Sequence, residues 1–549
     1  MRANQGRGVR RARRVTGRRE SRRRGDRRHR QSARGREIAA RLNTVRAALA
    51  ASVITAAACA SHHPANTAAA EPSLPVRELR ADLTTIFNSP INERGVWAVD
   101  IRSVDSGERL FELNSGRLMM PASNMKVLTL AVAAESLGWE YRFETTLEAR
   151  GTISGGVLHG DLIVKSNGDP TINTRAGRGA EVFDEWAGAL RAAGVDSIDG
   201  RIIGDDQAFD DEWIGAGWAW DYLQYDYAAP VGALEYNENF ASLTIAPAID
   251  SGRQPLVQLQ SGSGLELINH AATGPAGSPN TIDYRRHLDR PVLEVTGAIP
   301  LGGQPDTRTV AVVNPTIFYA QALKTELSAR GIAVSGPAVD FDDVAAELAA
   351  TSTTTEHGGS VQTSKVIAKT ESPPLRDIAT VLMKVSQNLY AETLLKTVGA
   401  MQGGLGTTEG GRVVARKTLS DWGIRTDSYV MYDGSGLSRY NYITPGTVVD
   451  VLLHLYKDPR HREAFLSTLP IAGKDGTIAT RMRGGRAEGN AIAKTGSISN
   501  ARSLSGFVKS RDGETIVFSI LANDFVIPSS TITKMADLAV ESLANFTRH

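Results

Sequence analysis

Apolar residues recur at helical spacing near both ends of the chain and at strand spacing between them. Over residues 74–88, Leu79, Leu83, Ile86 and Phe87 fall on one helical face. Residues 96–114 alternate instead. Trp97, Val99 and Ile101 are answered by Leu110, Phe111 and Leu113 across an Asp105-Ser106-Gly107 turn, the pattern of a hairpin. Residues 120–137 return to helix, with Val127, Leu128, Leu130, Ala131, Ala134 and Leu137 supplying a buried face. From Tyr141 the character changes. Residues 150–310 are rich in Gly, Thr and Val, with turn signals at Ser154-Gly155-Gly156 and Asn167-Gly168-Asp169-Pro170, and predict many short strands. A helix is expected at 315–330. Residues 339–360, acidic and then Thr/Ser/Gly-rich, read as a linker. Helices come next at 375–385 and 392–398, then strands at 491–495, 504–508 and 515–521. Asp512-Gly513 joins the last two strands as a hairpin, and a closing helix covers 531–546.

Helix-and-strand material at both ends thus brackets a β-rich middle. This predicts one α/β domain interrupted by an insertion, with a first part at 71–147, inserted β-rich material at 148–345 and a second part at 346–549. A chain of 549 residues with 41% hydrophobic and 22% charged residues is long enough for two to four domains of ordinary globular composition.

The charge is unevenly spread. Residues 1–46 carry 18 Arg against Glu20, Asp26 and Glu37, about +15, so the remainder of this +2 chain sits near −13. Such a run reads as a nucleic-acid arm, as the basic part of an export signal, or as codons upstream of the true start. The adjoining segment favours export. Residues 47–60 are apolar, uncharged and too short to span a bilayer as an ordinary helix, and they end in small residues at Ala58-Cys59-Ala60 and again at Ala68-Ala69-Ala70. A signal segment at 47–70 and a periplasmic or otherwise extracytoplasmic location are expected. Cys59 is the sole cysteine, so no intramolecular disulfide forms. A lipidated Cys59, with peripheral membrane association, stays open, although the preceding Ala56-Ala57-Ala58 lacks the usual Leu. After cleavage beyond Cys59 no thiol remains for catalysis or for zinc. The ten His do not cluster as metal ligands and no phosphate-binding loop occurs, so neither a metal nor a cofactor is expected.

Three short motifs carry chemistry. In Ser123-Asn124-Met125-Lys126 the i, i+3 spacing at a helix start places a hydroxyl and an amine on one face. A neutral amine activates a serine, and helix N-terminal N–H groups suit a developing oxyanion. Ser386-Gln387-Asn388, placed at the end of the 375–385 helix, offers a proton-relaying hydroxyl and an amide. Lys494-Thr495-Gly496, on a strand, offers a cation and hydroxyl for a carboxylate and a glycine for close backbone approach. A second cation there would also favour the neutral form of Lys126. Each motif alone is commonplace: a capping serine, a helix end, a charged strand tip. Together and in this order they match the S-x-x-K, S-x-N, K-T-G set, with Gln387 in place of the usual Asp.

With these motifs the sequence resembles the D-Ala-D-Ala carboxypeptidases of the penicillin-binding protein 4 type, serine peptidase family S13. About 260 residues separate Ser123 from Ser386, and about 110 more lead to Lys494, a long first gap where that family inserts extra domains. Further likeness lies in Ser372-Pro373-Pro374-Leu375, in Asp433-Gly434-Ser435-Gly436-Leu437-Ser438-Arg439, in Arg502-Ser503-Leu504-Ser505-Gly506, in Gly168-Asp169-Pro170-Thr171 and in Gly217-Trp218-Ala219-Trp220. It spans residues 74–546. The resemblance implies a penicillin-binding-protein/β-lactamase-like transpeptidase domain with a β-rich insertion, acting on peptidoglycan stem peptides as a carboxypeptidase or endopeptidase. It implies Ser123 as nucleophile, Lys126 as its base, Ser386 as proton relay and Asn388 as the group positioning Lys126 and substrate. It further implies Lys494 and Thr495 as carboxylate-holding residues after which Gly496 admits the substrate, and the N–H groups of Ser123 and Ser497 as the oxyanion hole. β-Lactams would acylate Ser123. Arg439 matches an arginine that binds the stem-peptide side chain. The acid expected two residues beyond Trp-x-Trp is replaced by Tyr222, and Asp221 beside it is the nearest substitute.

Three other readings differ in testable features. A β-lactamase of class A would need a deacylating Glu downstream of the second motif, and residues 421–427 (Asp-Trp-Gly-Ile-Arg-Thr-Asp) supply none. A non-catalytic wall-binding protein would not need all three motifs intact. A nucleic-acid binder would need the first 46 residues in the mature chain, so no nucleic-acid partner is expected. The oligomeric state is not legible.

Overall fold

The computed structural model describes residues 72–175, 177–353 and 364–548. The expected basic region, signal segment and Cys59 lie outside the described residues, as does most of the Thr/Ser/Gly-rich tract.

A five-stranded antiparallel sheet forms the frame, in the order Arg109–Leu113, Val96–Ser103, Thr515–Asn523, Ala501–Lys509, Ile492–Ile498. The N-terminal hairpin therefore pairs with C-terminal strands, Val96 opposite Asn523 and Ser103 opposite Ile516. Alternation decides which face each residue serves. Helices Leu74–Phe87 and Ser529–Asn545 cover one face, packing Val76, Leu79, Leu83, Val540 and Leu543 onto Trp97, Val99, Phe518 and Leu504. The other face carries Met125–Leu137, Leu375–Lys384, Asn388–Ala400, Thr408–Asp421 and Pro445–Lys457, which share a core containing Leu128, Leu382, Leu394, Leu419 and Leu452.

Met125–Leu137 runs through the middle of this layer. Every residue from Met125 to Ala134 is buried, which is why its apolar residues surround the helix rather than forming a stripe. A lysine at its second position is accordingly a buried cation.

The chain leaves the frame at Glu144 and returns after Glu371. Glu144–Ser154 pairs antiparallel with Val157–Ser166 on one side and with Ser364–Glu371 on the other. The expected boundaries at 147/148 and 345/346 are thus corrected: the insertion closes with a strand that pairs back onto its first strand. This sheet adds Ser197–Asp199, Ile202–Asp205, Ala333–Val334 and Ala338–Asp340, all in parallel pairings. It is covered by helices Arg178–Ala192 and Pro315–Ala329. A second, smaller β unit is built from Phe240–Ala246, Leu256–Leu259 and Asp306–Ala311 and from Glu266–Asn269, Asp283–Arg286 and Val292–Thr296, around Leu243, Ile245, Leu293 and Val295.

Two helices depart from the sequence reading. Arg178–Ala192 falls inside the stretch expected to form short strands, yet it holds Val182, Phe183, Trp186, Ala187 and Leu190 at helical spacing. Phe341–Thr353 occupies much of the expected linker because Val344 and Leu348 close over Ile163 and Ile203. No described helix is long and apolar enough to cross a membrane.

Candidate active site

Ser123 stands on a short 3-10 turn, Ala122–Asn124, at the mouth of the buried helix. Ala122 precedes it at φ 47°, a left-handed conformation that is costly for a residue with a Cβ and that persists only where its surroundings enforce it. They do: Ser503 Oγ donates to Pro121 O at 2.7 Å, and Asn124 Nδ2 donates to Lys494 O at 3.1 Å. Gly496 completes the fit. A Cβ there would lie 2.1 Å from Ser503 Oγ, 2.6 Å from Pro121 O and 3.0 Å from Ser123 N, so only glycine lets the edge strand lie against the turn.

Lys126 is fully buried, and its Nζ has three partners: Ser123 Oγ at 2.9 Å, Asn388 Oδ1 at 2.6 Å and Ser435 O at 2.7 Å. The two carbonyl acceptors use two N–H bonds. A neutral amine so held keeps its lone pair toward Ser123 Oγ. Burial brings the Lys126 pKa down to about 7, against the opposing pull of Glu392 and Asp433. The second cation was expected to help, yet burial dominates at Lys126. The repulsion between the two acts at Lys494, whose pKa is pushed well below its usual range by burial first and by Lys126 second.

Ser386 directly follows the end of Leu375–Lys384, where the sequence placed it, and Asn388 opens the next helix. Ser386 is the left-handed link, φ 65°, between Leu375–Lys384 and Asn388–Ala400. Gln387 caps the second helix by accepting from Leu389 N at 3.0 Å. Lys494 Nζ donates to Ser386 Oγ at 2.7 Å and to Thr495 O at 2.9 Å. Lys494 is fully buried, whereas Thr495 and Gly496 line the cleft, and Thr495 Oγ1 donates to Thr477 Oγ1 at 2.8 Å.

Behind these groups lies a support that the motifs do not announce. Glu392 is buried and accepts from Gly434 N at 2.9 Å and Ser435 N at 2.7 Å, which fixes the Ser435 carbonyl on Lys126. Burial and the neighbouring Asp433 carboxylate raise the Glu392 pKa. Asp433 accepts from Gly436 N, Ser438 N and Asn441 Nδ2. Asp433 lies in a stretch noted for resemblance, but nothing in the local sequence of either acid marks it as buried.

The insertion supplies one wall. Trp218 Nε1 donates to Asp433 at 2.9 Å, Asn388 Nδ2 donates to Tyr227 O at 2.6 Å, Gln387 Nε2 donates to Glu238 at 2.6 Å, and the Tyr222 and Ser499 hydroxyls lie 2.8 Å apart. A cleft of about 470 Å³ results, lined among others by Ser123, Ser386, Asn388, Thr495, Gly496, Ser497, Tyr222, Tyr227 and Arg502. Two substrate-binding expectations change. Asp221 is exposed and absent from the cleft lining, because adjacent residues of the Trp220–Tyr222 3-10 turn point in different directions and Tyr222 takes the inward one. Arg439 does not line the cleft either. It reaches the rim by donating to Ser499 O at 3.3 Å.

A serine hydroxyl at the surface of a cleft, backed by a buried amine, defines a serine hydrolase with a lysine base. The comparisons with known proteins agree. The sequence profile of the D-Ala-D-Ala carboxypeptidase 3 (S13) family matches residues 79–542. A D-alanyl-D-alanine carboxypeptidase of Actinomadura sp. strain R39 is 33% identical over 484 residues, covering 86% of this chain and 85% of its own. The D-alanyl-D-alanine carboxypeptidase DacB of Haemophilus influenzae is 27% identical over 431 residues, 77% of this chain and 84% of its own. The crystal structure of penicillin binding protein 4 (dacB) from Haemophilus influenzae superposes with a TM-score of 0.70 at 24% identity, covering 85% of this chain and 99% of the other, and shares the fold. The chain belongs to the S13 family of serine D-Ala-D-Ala carboxypeptidases.

Proposed function

We propose that this protein is an exported DD-carboxypeptidase that removes the terminal D-Ala from peptidoglycan stem peptides through an acyl-enzyme on Ser123. One observation carries the reading: Lys126 Nζ lies 2.9 Å from Ser123 Oγ, fully buried and with a pKa of about 7. In the proposed reaction Lys126 takes the Ser123 proton as Oγ bonds to the penultimate carbonyl carbon. The oxyanion rests on the N–H groups of Ser123 and Ser497, both at the cleft surface. Collapse breaks the C–N bond, and the proton taken by Lys126 passes by way of the Ser386 hydroxyl, held by Lys494, to the departing amine, which leaves Lys126 neutral and Ser386 protonated as before. Water then attacks the ester, Lys126 again accepts the proton, and Ser123 is regenerated. Asn388 orients Lys126 through Oδ1 and is itself held by Tyr227 O. β-Lactams enter the same first step and form a slowly hydrolysed ester. Export rests on the basic and apolar order of residues 1–70, with action outside the cytoplasm.

The test is intact mass over time after addition of benzylpenicillin to residues 71–549, with Ser123→Ala as control. A single long-lived adduct on the wild type only is expected. Rapid loss of the adduct with consumption of penicillin would indicate a β-lactamase, and no adduct on folded protein would indicate a wall-binding role.

A further inference from the structure

Lys396 lies in the helix Asn388–Ala400, is 1% exposed, and hydrogen-bonds to none of the catalytic groups. Its Nζ pairs with Asp210 Oδ1 at 2.6 Å and donates to Glu212 O at 3.1 Å and to Asp210 O and Val231 O, each at 3.3 Å. Burying such a group is costly unless acceptors surround it. Three of these acceptors are backbone carbonyls, and they belong to the two feet of one loop, residues 210–231. The feet also meet each other, Val231 N donating to Trp213 O at 3.0 Å. The first foot is tied to the chain beyond the helix, with Asp210 N donating to Gly406 O at 3.1 Å and Gly406 N to Ala208 O at 2.8 Å.

Between its feet this loop forms the insertion's wall of the cleft. It runs through 3-10 turns at Trp220–Tyr222 and Asp226–Ala228 with irregular chain around them. A segment without a ladder of backbone hydrogen bonds takes its position from where its ends and outward contacts are fixed. The outward contacts reach the active site at Asp433 through Trp218, at Ser499 through Tyr222 and at Asn388 through Tyr227. The last of these bears on the chemistry. Tyr227 O takes the amino end of the Asn388 side chain at 2.6 Å, which turns the carbonyl end to Lys126 Nζ, also at 2.6 Å. Lys396 stands just over two turns beyond Asn388 on the same helix. One rigid element thus carries both the acceptor for Lys126 and the anchor of the loop that orients this acceptor.

We propose that Lys396 is a positioning residue for the reaction at Ser123: by clamping both feet of the 210–231 loop it holds Tyr227 O on Asn388, and so keeps the Asn388 carbonyl, rather than its amino group, facing Lys126. This rests on the DD-carboxypeptidase reading above. Without the clamp the loop and the amide are free to turn. An N–H group then replaces the acceptor at Lys126, and the amine loses a bond that aims its lone pair at Ser123 Oγ.

The experiment follows acylation by benzylpenicillin in stopped flow for wild type, Lys396→Met and Lys396→Gln, separating penicillin binding, the first-order acylation step and the fraction of molecules that react. Lys396→Met keeps the apolar body of the side chain and removes every donor, and Lys396→Gln keeps two N–H groups. For Lys396→Met the first-order rate constant is expected to fall about 10- to 100-fold with little change in binding. Chymotrypsin should also cut the 210–231 loop, at residues such as Trp213 and Tyr225, faster than in wild type. Lys396→Gln should lie between the two. A residue that only stabilises the fold lowers the fraction that reacts and leaves the rate constant of that fraction unchanged. That result, or a loss carried by binding with the loop still resistant to chymotrypsin, would overturn the inference. Where Lys396→Met does not fold, Lys396→Gln decides: slower acylation by its folded fraction supports the clamp, and wild-type acylation overturns it. Wild type that accepts no penicillin would overturn the proposed function and this inference together, whereas variants acylated at the wild-type rate would overturn this inference alone.

Discussion

Lys494 Nζ donates to Ser386 Oγ at 2.7 Å, and Ser386 receives that bond from a left-handed backbone position, φ 65°. A cation of the third motif thus fixes the hydroxyl of the second, while Lys126 of the first is held by Asn388 of the second. The three motifs form a connected polar structure. Because a serine is strained at that φ, the hydroxyl and the backbone can be tested separately. Ser386→Gly and Ser386→Ala should each lose about 10²- to 10⁴-fold in peptide turnover, as expected for removal of a proton-relaying group. The Gly variant should melt at a temperature equal to or above that of the Ala variant. Turnover assays and thermal melts of the pair decide it.

The acylation rate should depend on pH through Lys126. The residue acts as base only when neutral, and burial has moved its pKa from the ordinary lysine range to about 7. The second-order rate of acylation by a penicillin should therefore rise with pH through about 7 and level above it. Lys126→Arg, which stays protonated, should show no such rise and acylate at least about 10²-fold more slowly. Stopped-flow acylation across a pH range from mildly acidic to mildly alkaline is the measurement.

Glu392 opposes that downward shift, so removing its charge has a definite sign. With Glu392→Gln the carboxylate that favours the Lys126 ammonium is gone, and the midpoint of the acylation profile should move to lower pH. Stability should fall as well. The carboxylate accepts from two backbone N–H groups, and an amide can turn only one acceptor toward them, leaving a buried donor unpaired at a cost of about 1–3 kcal/mol. A midpoint that rises instead would contradict the electrostatic role assigned to Glu392.

Gly496→Ala tests the seating of the nucleophile. The added methyl meets Pro121 O at 2.6 Å and Ser123 N at 3.0 Å, groups that cannot swing away. Acylation by penicillin should drop by an order of magnitude or more, with the strand displaced from the Ser123 turn, whereas the melting temperature should change by only a few degrees. Full acylation by the variant would show that the strand has room the geometry denies.

Much of this protein was legible in the chain because its signals are local. The periodicities at 74–88, 96–114 and 504–521 and the order of the three motifs need only neighbouring residues, and the frame strands and helices match them to within a few positions. The helix Arg178–Ala192 shows the limit of such signals: it lies in a Gly-, Thr- and Val-rich stretch that reads as strands, and its Phe183 and Trp186 are buried against residues of distant segments such as Leu147 and Tyr319.

What tertiary structure alone decided lies in contacts between distant segments. Val96–Ser103 pairs with Thr515–Asn523, and Ser364–Glu371 closes the insertion on Glu144–Ser154. Tyr222 rather than Asp221 faces the cleft, and Glu392, Asp433 and Tyr227 support the motif residues. The basicity of Lys126 belongs here too. An amine's pKa depends on which groups exclude water from it, and those groups come from segments hundreds of residues apart. The sequence by itself determined which chemical groups the protein carries and in what order. The packing of its two frame segments and its insertion determined which of them are dry, which are paired, and that Arg502 alone among the described lining residues brings a charge to the cleft.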